Sequence, residues 1–173
     1  MASLQEIRTE RIAKLETLRG LGIDPYPSRS VRTHKSREIL NHFATLENKD
    51  VTIAGRLMSW REHGPLIFAD IQDDLGRIQL YIRGEILGPT DKATQSIGFA
   101  QLGLLDVGDI VEVTGRVTKT QRGTISIEPR CIKMLAKSLR PLPDKWEGVQ
   151  NPELLHRQRY LDMIISPEHK YRF

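Results

Sequence analysis

The chain has 173 residues, 39% hydrophobic and 28% charged, with a net charge of +4 at pH 7, enough for one globular domain with appendages and too few for two large ones. Its one cysteine, Cys131, excludes an internal disulfide framework and a four-cysteine zinc site, and a reducing, cytoplasmic compartment is the expectation. No stretch approaches the roughly 20 apolar residues of a membrane span and the first residues carry no apolar signal region, so neither insertion nor export is expected.

Residues 3–20 are predicted as an amphipathic helix, because Leu4, Ile7, Ile12, Leu15 and Leu18 fall in one stripe and Gly20 and Gly22 supply a stop. Two prolines make residues 23–27 extended. A short helical patch is expected around residues 36–44, with Ser36 as its N-cap.

Five strands follow, at residues 51–60, 66–72, 77–83, 110–118 and 124–135, with breaks at residues 63–65, 73–76 and 121–123. The long connection between the third and fourth contains residues 90–105, read as a helix interrupted near Gly98. Three strands, a connecting helix and two strands is the order of an OB-fold, a five-stranded Greek-key barrel. The fold class is therefore mainly β with flanking helices, the barrel being joined by an N-terminal helix and a C-terminal linker helix.

Alternation gives the second and third strands two unlike faces: Ile67, Ala69, Ile71, Ile78, Leu80 and Ile82 form the buried set, and Phe68, Gln79 and Tyr81 point the other way. A phenyl ring is a stacking platform for a base. A glutamine amide presents an acceptor and two donors to a Watson–Crick edge, and uracil, with N3–H flanked by carbonyls, suits it. Each residue also has a plainer reading, Phe68 as a capping hydrophobe and Gln79 as a solvent-facing strand residue.

Charge placement points the same way. Residues 28–37 hold four basic side chains and no acid, and residues 114–123 hold three and no acid, so Arg29, Arg32, Lys119 and Arg122 are the candidate phosphate contacts. A solvated loop and a solvated hairpin tip are the alternatives.

Residues 139–152 are rich in Pro and Gly and read as a linker, and residues 152–165 as an amphipathic helix with Asn151 as N-cap. The chain stops at residues 170–173, immediately after a further helix start at Ser166, Pro167 and Glu168, which makes it look cut. The expected organisation is a helix and lead-in at 1–48, the OB-fold at 49–138, and a linker with the start of a missing domain at 139–173.

Residues 14–27, 53–58, 68–81, 106–109, 140–146 and 157–164 together carry a resemblance that spans nearly the whole chain. The sequence resembles the N-terminal, anticodon-binding part of class II lysyl-tRNA synthetases. Aspartyl- and asparaginyl-tRNA synthetases share the barrel and the Phe68 and Gln79 positions; residues 22–27, 140–146 and 158–165 are the lysyl-like pieces.

The resemblance implies that Phe68 stacks on an anticodon base, that Gln79 hydrogen-bonds the central U, and that Arg61, in the turn between the first two strands, adds a contact to that base. Two positions depart from the family pattern. Thr124 stands where a glutamate often contacts the wobble base, with Glu128 the nearest acid, and Glu62 stands in place of a positive charge. The resemblance further implies a complete enzyme that joins lysine to tRNA(Lys) through lysyl-adenylate, using ATP and Mg2+, and that works as a homodimer. The three class II catalytic motifs are absent from these 173 residues, so no catalytic residue, cofactor or metal is assigned to the chain itself.

A stand-alone OB-fold protein that binds single strands without preference is the rival reading. Such proteins use several stacking aromatics, whereas the face here offers Phe68, Tyr81 and Trp60. A protein-interaction module built on Leu154, Leu155, Leu161, Ile164 and Ile165 is a second. A nuclease or deaminase would need clustered ligands, and His34, His42, His63, His156 and His169 lack ligand spacing.

Overall fold

In the computed structural model, which describes residues 2–143 and 157–166, five strands close into a barrel in the order β1-β2-β3-β5-β4. They are β1 (Asp50–His63), β2 (Leu66–Gln72), β3 (Arg77–Arg83), β4 (Ile110–Lys119) and β5 (Ile125–Ala136). Every neighbouring pair is antiparallel except β3 and β5, whose parallel contact (Gln79 beside Ser126, Leu80 beside Ile127) closes the ring. The expected strands and faces are present. Ile67, Ala69, Ile71, Ile78, Leu80 and Ile82 are all buried, and with Ile53, Leu57, Val113, Ile127 and Ile132 they fill the barrel.

Three register shifts bend these strands. The register of β1 against β2 slips between Leu57 and Ser59, which is how one long strand can serve two neighbours. Against β4, β5 slips twice, opposite Ile110–Val111 and opposite Thr114–Gly115, and at the second a Cβ on Gly115 would collide with the carbonyl of Glu128. Only glycine permits that approach.

The first helix, α1 (Leu4–Gly20), begins with a capping box: the Glu6 N–H donates to Ser3 Oγ at 3.2 Å and the Ser3 N–H to Glu6 Oε2 at 2.6 Å. It ends in a Schellman motif, with Gly22 at φ +77° and the Ile23 N–H donating to the Leu18 carbonyl at 3.0 Å. Leu15 and Leu18 are buried as the stripe predicts, but Leu4 is 73% exposed. Arg11 is buried instead, and its guanidinium donates to the carbonyls of Val107, Ser138 and Arg140.

Four expectations are corrected. Residues 90–105 form no α-helix but a tight turn closed by an Asp91 to Ser96 bridge, followed by a 3-10 helix at Phe99–Leu104. Local hydrogen bonds won: the Asp91 carboxylate accepts from the Ala93 N–H and the Thr94 hydroxyl, and Gln95 takes φ +59°. Ser36 is not an N-cap but the first residue of α2 (Ser36–Asn41), and its hydroxyl and N–H both donate to the Asp73 carboxylate. The patch is split, since α3 (Phe43–Leu46) is a separate turn. Finally, Arg61 to His63 also belong to β1, so the turn between β1 and β2 is only Gly64 and Pro65, with Gly64 at φ +61°.

Residues Met1–Arg140 form one compact unit and Pro141–Phe173 a second. In the second, α4 (Arg159–Ile165) is the described part of the expected linker helix. The Asn151 cap, residues 144–152 of the linker, Leu154, Leu155, His156, His169 and the helix start at Pro167 and Glu168 lie outside the described residues. Among the described residues no helix is long and apolar enough to cross a membrane.

Candidate nucleic-acid interface

The outward face of the sheet is set by registry. Ser59 pairs with Asp70, Asp70 with Gln79 and Gln79 with Ser126, so one row of polar side chains crosses β1, β2, β3 and β5. The next row runs from Arg61 to Phe68 to Tyr81. Both rows follow from the period of two, because each member lies two residues from its counterpart in the other row.

The second row is aromatic. The Phe68 and Tyr81 rings stack with centroids 5.3 Å apart and planes 29° apart, and His63 meets Phe68 edge-on at 5.8 Å. Arg83 lies over the Tyr81 ring, 5.8 Å from its centroid. All are partly or wholly exposed, so the apolar platform faces outward. Trp60 is excluded from it: the bulge turns Trp60 toward Ala69 and the core, and it packs there.

The first row is held by hydrogen bonds. The Ser126 hydroxyl, fully buried, donates to Gln79 Oε1 at 2.9 Å, and the Ser59 hydroxyl donates to Asp70 Oδ2. Arg61, expected in a turn, extends from β1 with about half of its side chain exposed and reaches Asp70 Oδ2 at 3.5 Å. Arg61, Phe68 and Gln79 are thus brought onto one face of three adjacent strands.

Glu128 and Thr124 are placed differently. The Glu128 carboxylate accepts two bonds from Arg83 Nη2, at 3.1 and 3.2 Å, and this pairing holds the Arg83 guanidinium more firmly protonated than usual. Thr124 precedes β5 in the β4–β5 turn, where its carbonyl accepts from the Thr120 N–H at 2.9 Å and Gly123 takes φ +84°. Because β3 and β5 run parallel, that turn lies at the end of β3 where Arg77 stands, beyond the Gln79 row.

The four basic candidates separate into two pairs. Lys119 stands over the Phe43 ring, 4.8 Å from its centroid, and Arg122 is exposed at the β4–β5 tip. Arg29 and Arg32 are exposed on the lead-in segment, but folding brings acids to this run that the sequence lacks. Ser30 and Val31 both donate to Glu112 Oε2, Lys35 pairs with Asp74 at 2.7 Å, and the Asp74 carboxyl is held below its ordinary range chiefly by that bond and in part by Arg32.

Sequence reasoning missed Ser59, Asp70, Arg83 and Ser126. Alternation through residues 124–128 does put Thr124, Ser126 and Glu128 on one face, but only the pairing of β5 with β3 makes Ser126 the neighbour of Gln79. Among the described residues no group of three His, Cys, Asp or Glu side chains could hold a metal.

Residues 51–135 match the family described as OB-fold nucleic acid binding domain. Over 98% of its length the chain is 46% identical to a lysine–tRNA ligase of Pelotomaculum thermopropionicum and to one of Carboxydothermus hydrogenoformans. It is 45% identical over 94% of its length to a lysine–tRNA ligase of Clostridium botulinum. The chain spans about a third of the length of these curated relatives: 32%, 33% and 31%.

Proposed function

Because residues 51–135 match the OB-fold nucleic acid binding family, we propose that the barrel of this chain recognises the anticodon of tRNA(Lys). The observation that carries this reading is the pair of adjacent rows, an outward-facing, half-buried Phe68–Tyr81 platform beside the Gln79 amide. One base stacks on Phe68 and turns its Watson–Crick edge to Gln79, with Arg61 at its border. Single-stranded loops are read in this way, by stacking combined with hydrogen bonds to exposed base edges.

Lys119 and Arg122, and to a lesser degree Arg29 and Arg32, hold the phosphates. Thr124, at the tip of the turn, and Glu128, through its pair with Arg83, border the neighbouring anticodon bases. In the parent enzyme the reading extends to ligation of lysine to tRNA(Lys), with ATP and Mg2+ acting outside these residues, to a homodimer, and to the cytoplasm. Similarity to lysine–tRNA ligases along nearly the whole chain supports this assignment over an aspartyl or asparaginyl one.

The test is titration of the 173-residue chain with stem-loops that present the lysine anticodon or a scrambled loop. Preference for the lysine anticodon is the expected result. Equal affinity for both loops and for homopolymers would instead favour a stand-alone single-strand binder.

A further inference from the structure

A glutamine amide is nearly symmetric in shape but not in chemistry, and a side chain free to rotate by 180° about its last bond can serve opposite hydrogen-bond patterns. Uracil offers a donor at N3 beside an acceptor at O4, whereas cytosine offers an acceptor at N3 beside a donor at N4. A Gln79 free to flip would therefore accept both bases. Discrimination between them requires that something fix which end of the amide is oxygen.

We propose that Ser126 is that positioning residue: its hydroxyl pins Gln79 Oε1 toward β5 and so sets the amide to read uracil rather than cytosine. This deepens the reading of the face as an anticodon site and rests on it. Ser126 is fully buried, so water does not compete for its proton, and it lies directly beside Gln79 in the parallel register. Its proton has two acceptors within reach, Gln79 Oε1 at 2.9 Å and the Thr124 carbonyl at 3.3 Å. The longer contact is to an oxygen already bonded by the Thr120 N–H at 2.9 Å, so the proton belongs to Gln79.

With one lone pair of Oε1 engaged by Ser126, the other remains for uracil N3–H, and Nε2 has protons for O4. The flipped amide would instead point Nε2 at Ser126. That state needs the hydroxyl proton moved to the Thr124 carbonyl, which is the poorer bond. Ser126 therefore acts on base identity without touching the base.

The experiment compares the chain with its Ser126→Ala and Ser126→Thr variants on two stem-loops that differ only in having U or C at the middle anticodon position. A well-made bidentate contact gives the parent chain a roughly five- to hundred-fold preference for U. Ser126→Ala removes one oxygen and no backbone pairing. It is expected to bring the ratio toward parity, mainly by improving binding of the C loop relative to the U loop, while Ser126→Thr keeps the hydroxyl and the ratio. A U preference in Ser126→Ala equal to that of the parent overturns the role of Ser126. A parent chain that does not distinguish U from C overturns the anticodon reading itself.

Discussion

Phe68 on β2 and Tyr81 on β3 stand directly opposite each other with rings 5.3 Å apart, and their shared face is turned away from the core. Cross-strand aromatic pairs normally contribute to sheet stability through packing. This one has His63 edge-on to Phe68 and Arg83 against Tyr81, and in the proposed reading a base extends it.

Loss of a stacking ring is typically worth about 1–3 kcal/mol, so Phe68→Ala should weaken binding of every anticodon loop roughly five- to hundred-fold, whatever its middle base. Fluorescence titration against U-, C- and A-containing loops measures this. A loss confined to one base would mean that Phe68 reads rather than stacks.

Gln79→Ala should behave differently, because the amide acts on the base edge. Affinity for the loop with a central U should fall by about 1–3 kcal/mol, and the C-substituted loop should be almost unaffected. Equal losses for the two loops in isothermal titration would remove Gln79 from base reading.

Salt dependence should separate the basic residues. Each phosphate contact on a single strand contributes about 0.7 to the log–log slope of affinity against salt. Lys119→Ala with Arg122→Ala should therefore lower the slope by roughly 1.4. Arg29→Ala with Arg32→Ala should lower it less, since Asp74 and Glu112 already balance that segment. An unchanged slope in the first double variant would place the phosphates elsewhere.

Stability should hinge on a clasp at the end of the barrel. Lys137, wholly buried, reaches Asp109 at 2.8 Å and also pairs with Asp106, which in turn binds Lys14 at 2.7 Å. Lys137→Ala leaves the buried Asp109 carboxylate without its cation and should cost about 3–5 kcal/mol in urea unfolding. Breaking the exposed Arg130–Asp50 pair should cost less than about 1 kcal/mol. Similar losses for the two would show that burial does not govern these pairs.

The same clasp makes an acid-side prediction. Burial pushes the Asp106 carboxyl up, but the bonds from Lys137 and Lys14 outweigh it and hold the group below its ordinary 3.8. The stability this provides is complete above that value and is lost as pH falls through the lower folded-state value. Lys14→Met removes one of the two cations, so the acid limb of stability should move to higher pH. Urea midpoints measured from about pH 2 to 6 test the direction. Asp109 works against this trend, because burial outweighs its bond to Lys137 and raises it.

The sequence by itself determined the barrel strands and their faces, since a period of two with Ile, Leu and Val on alternate positions leaves little choice of which side is buried. It also determined where α1 stops, because Gly22 is the residue that tolerates the positive φ a Schellman motif requires. The tertiary structure alone decided the rest. Residues 90–105 read as helical from the sequence, yet the Asp91 carboxylate and the Thr90 hydroxyl accept from the Ala93 and Gly98 N–H groups locally, and the Ile97 N–H is tied to the Ile132 carbonyl of β5. The bulge after Leu57 sent Trp60 inward, the lead-in run acquired acids from β4 and from the β2–β3 turn, and the β3–β5 closure set Ser126 against Gln79. Each of those contacts joins residues dozens of positions apart or depends on a slipped register. Local periodicity carries no information about either, because it records which face a side chain takes and not which strand lies beside it.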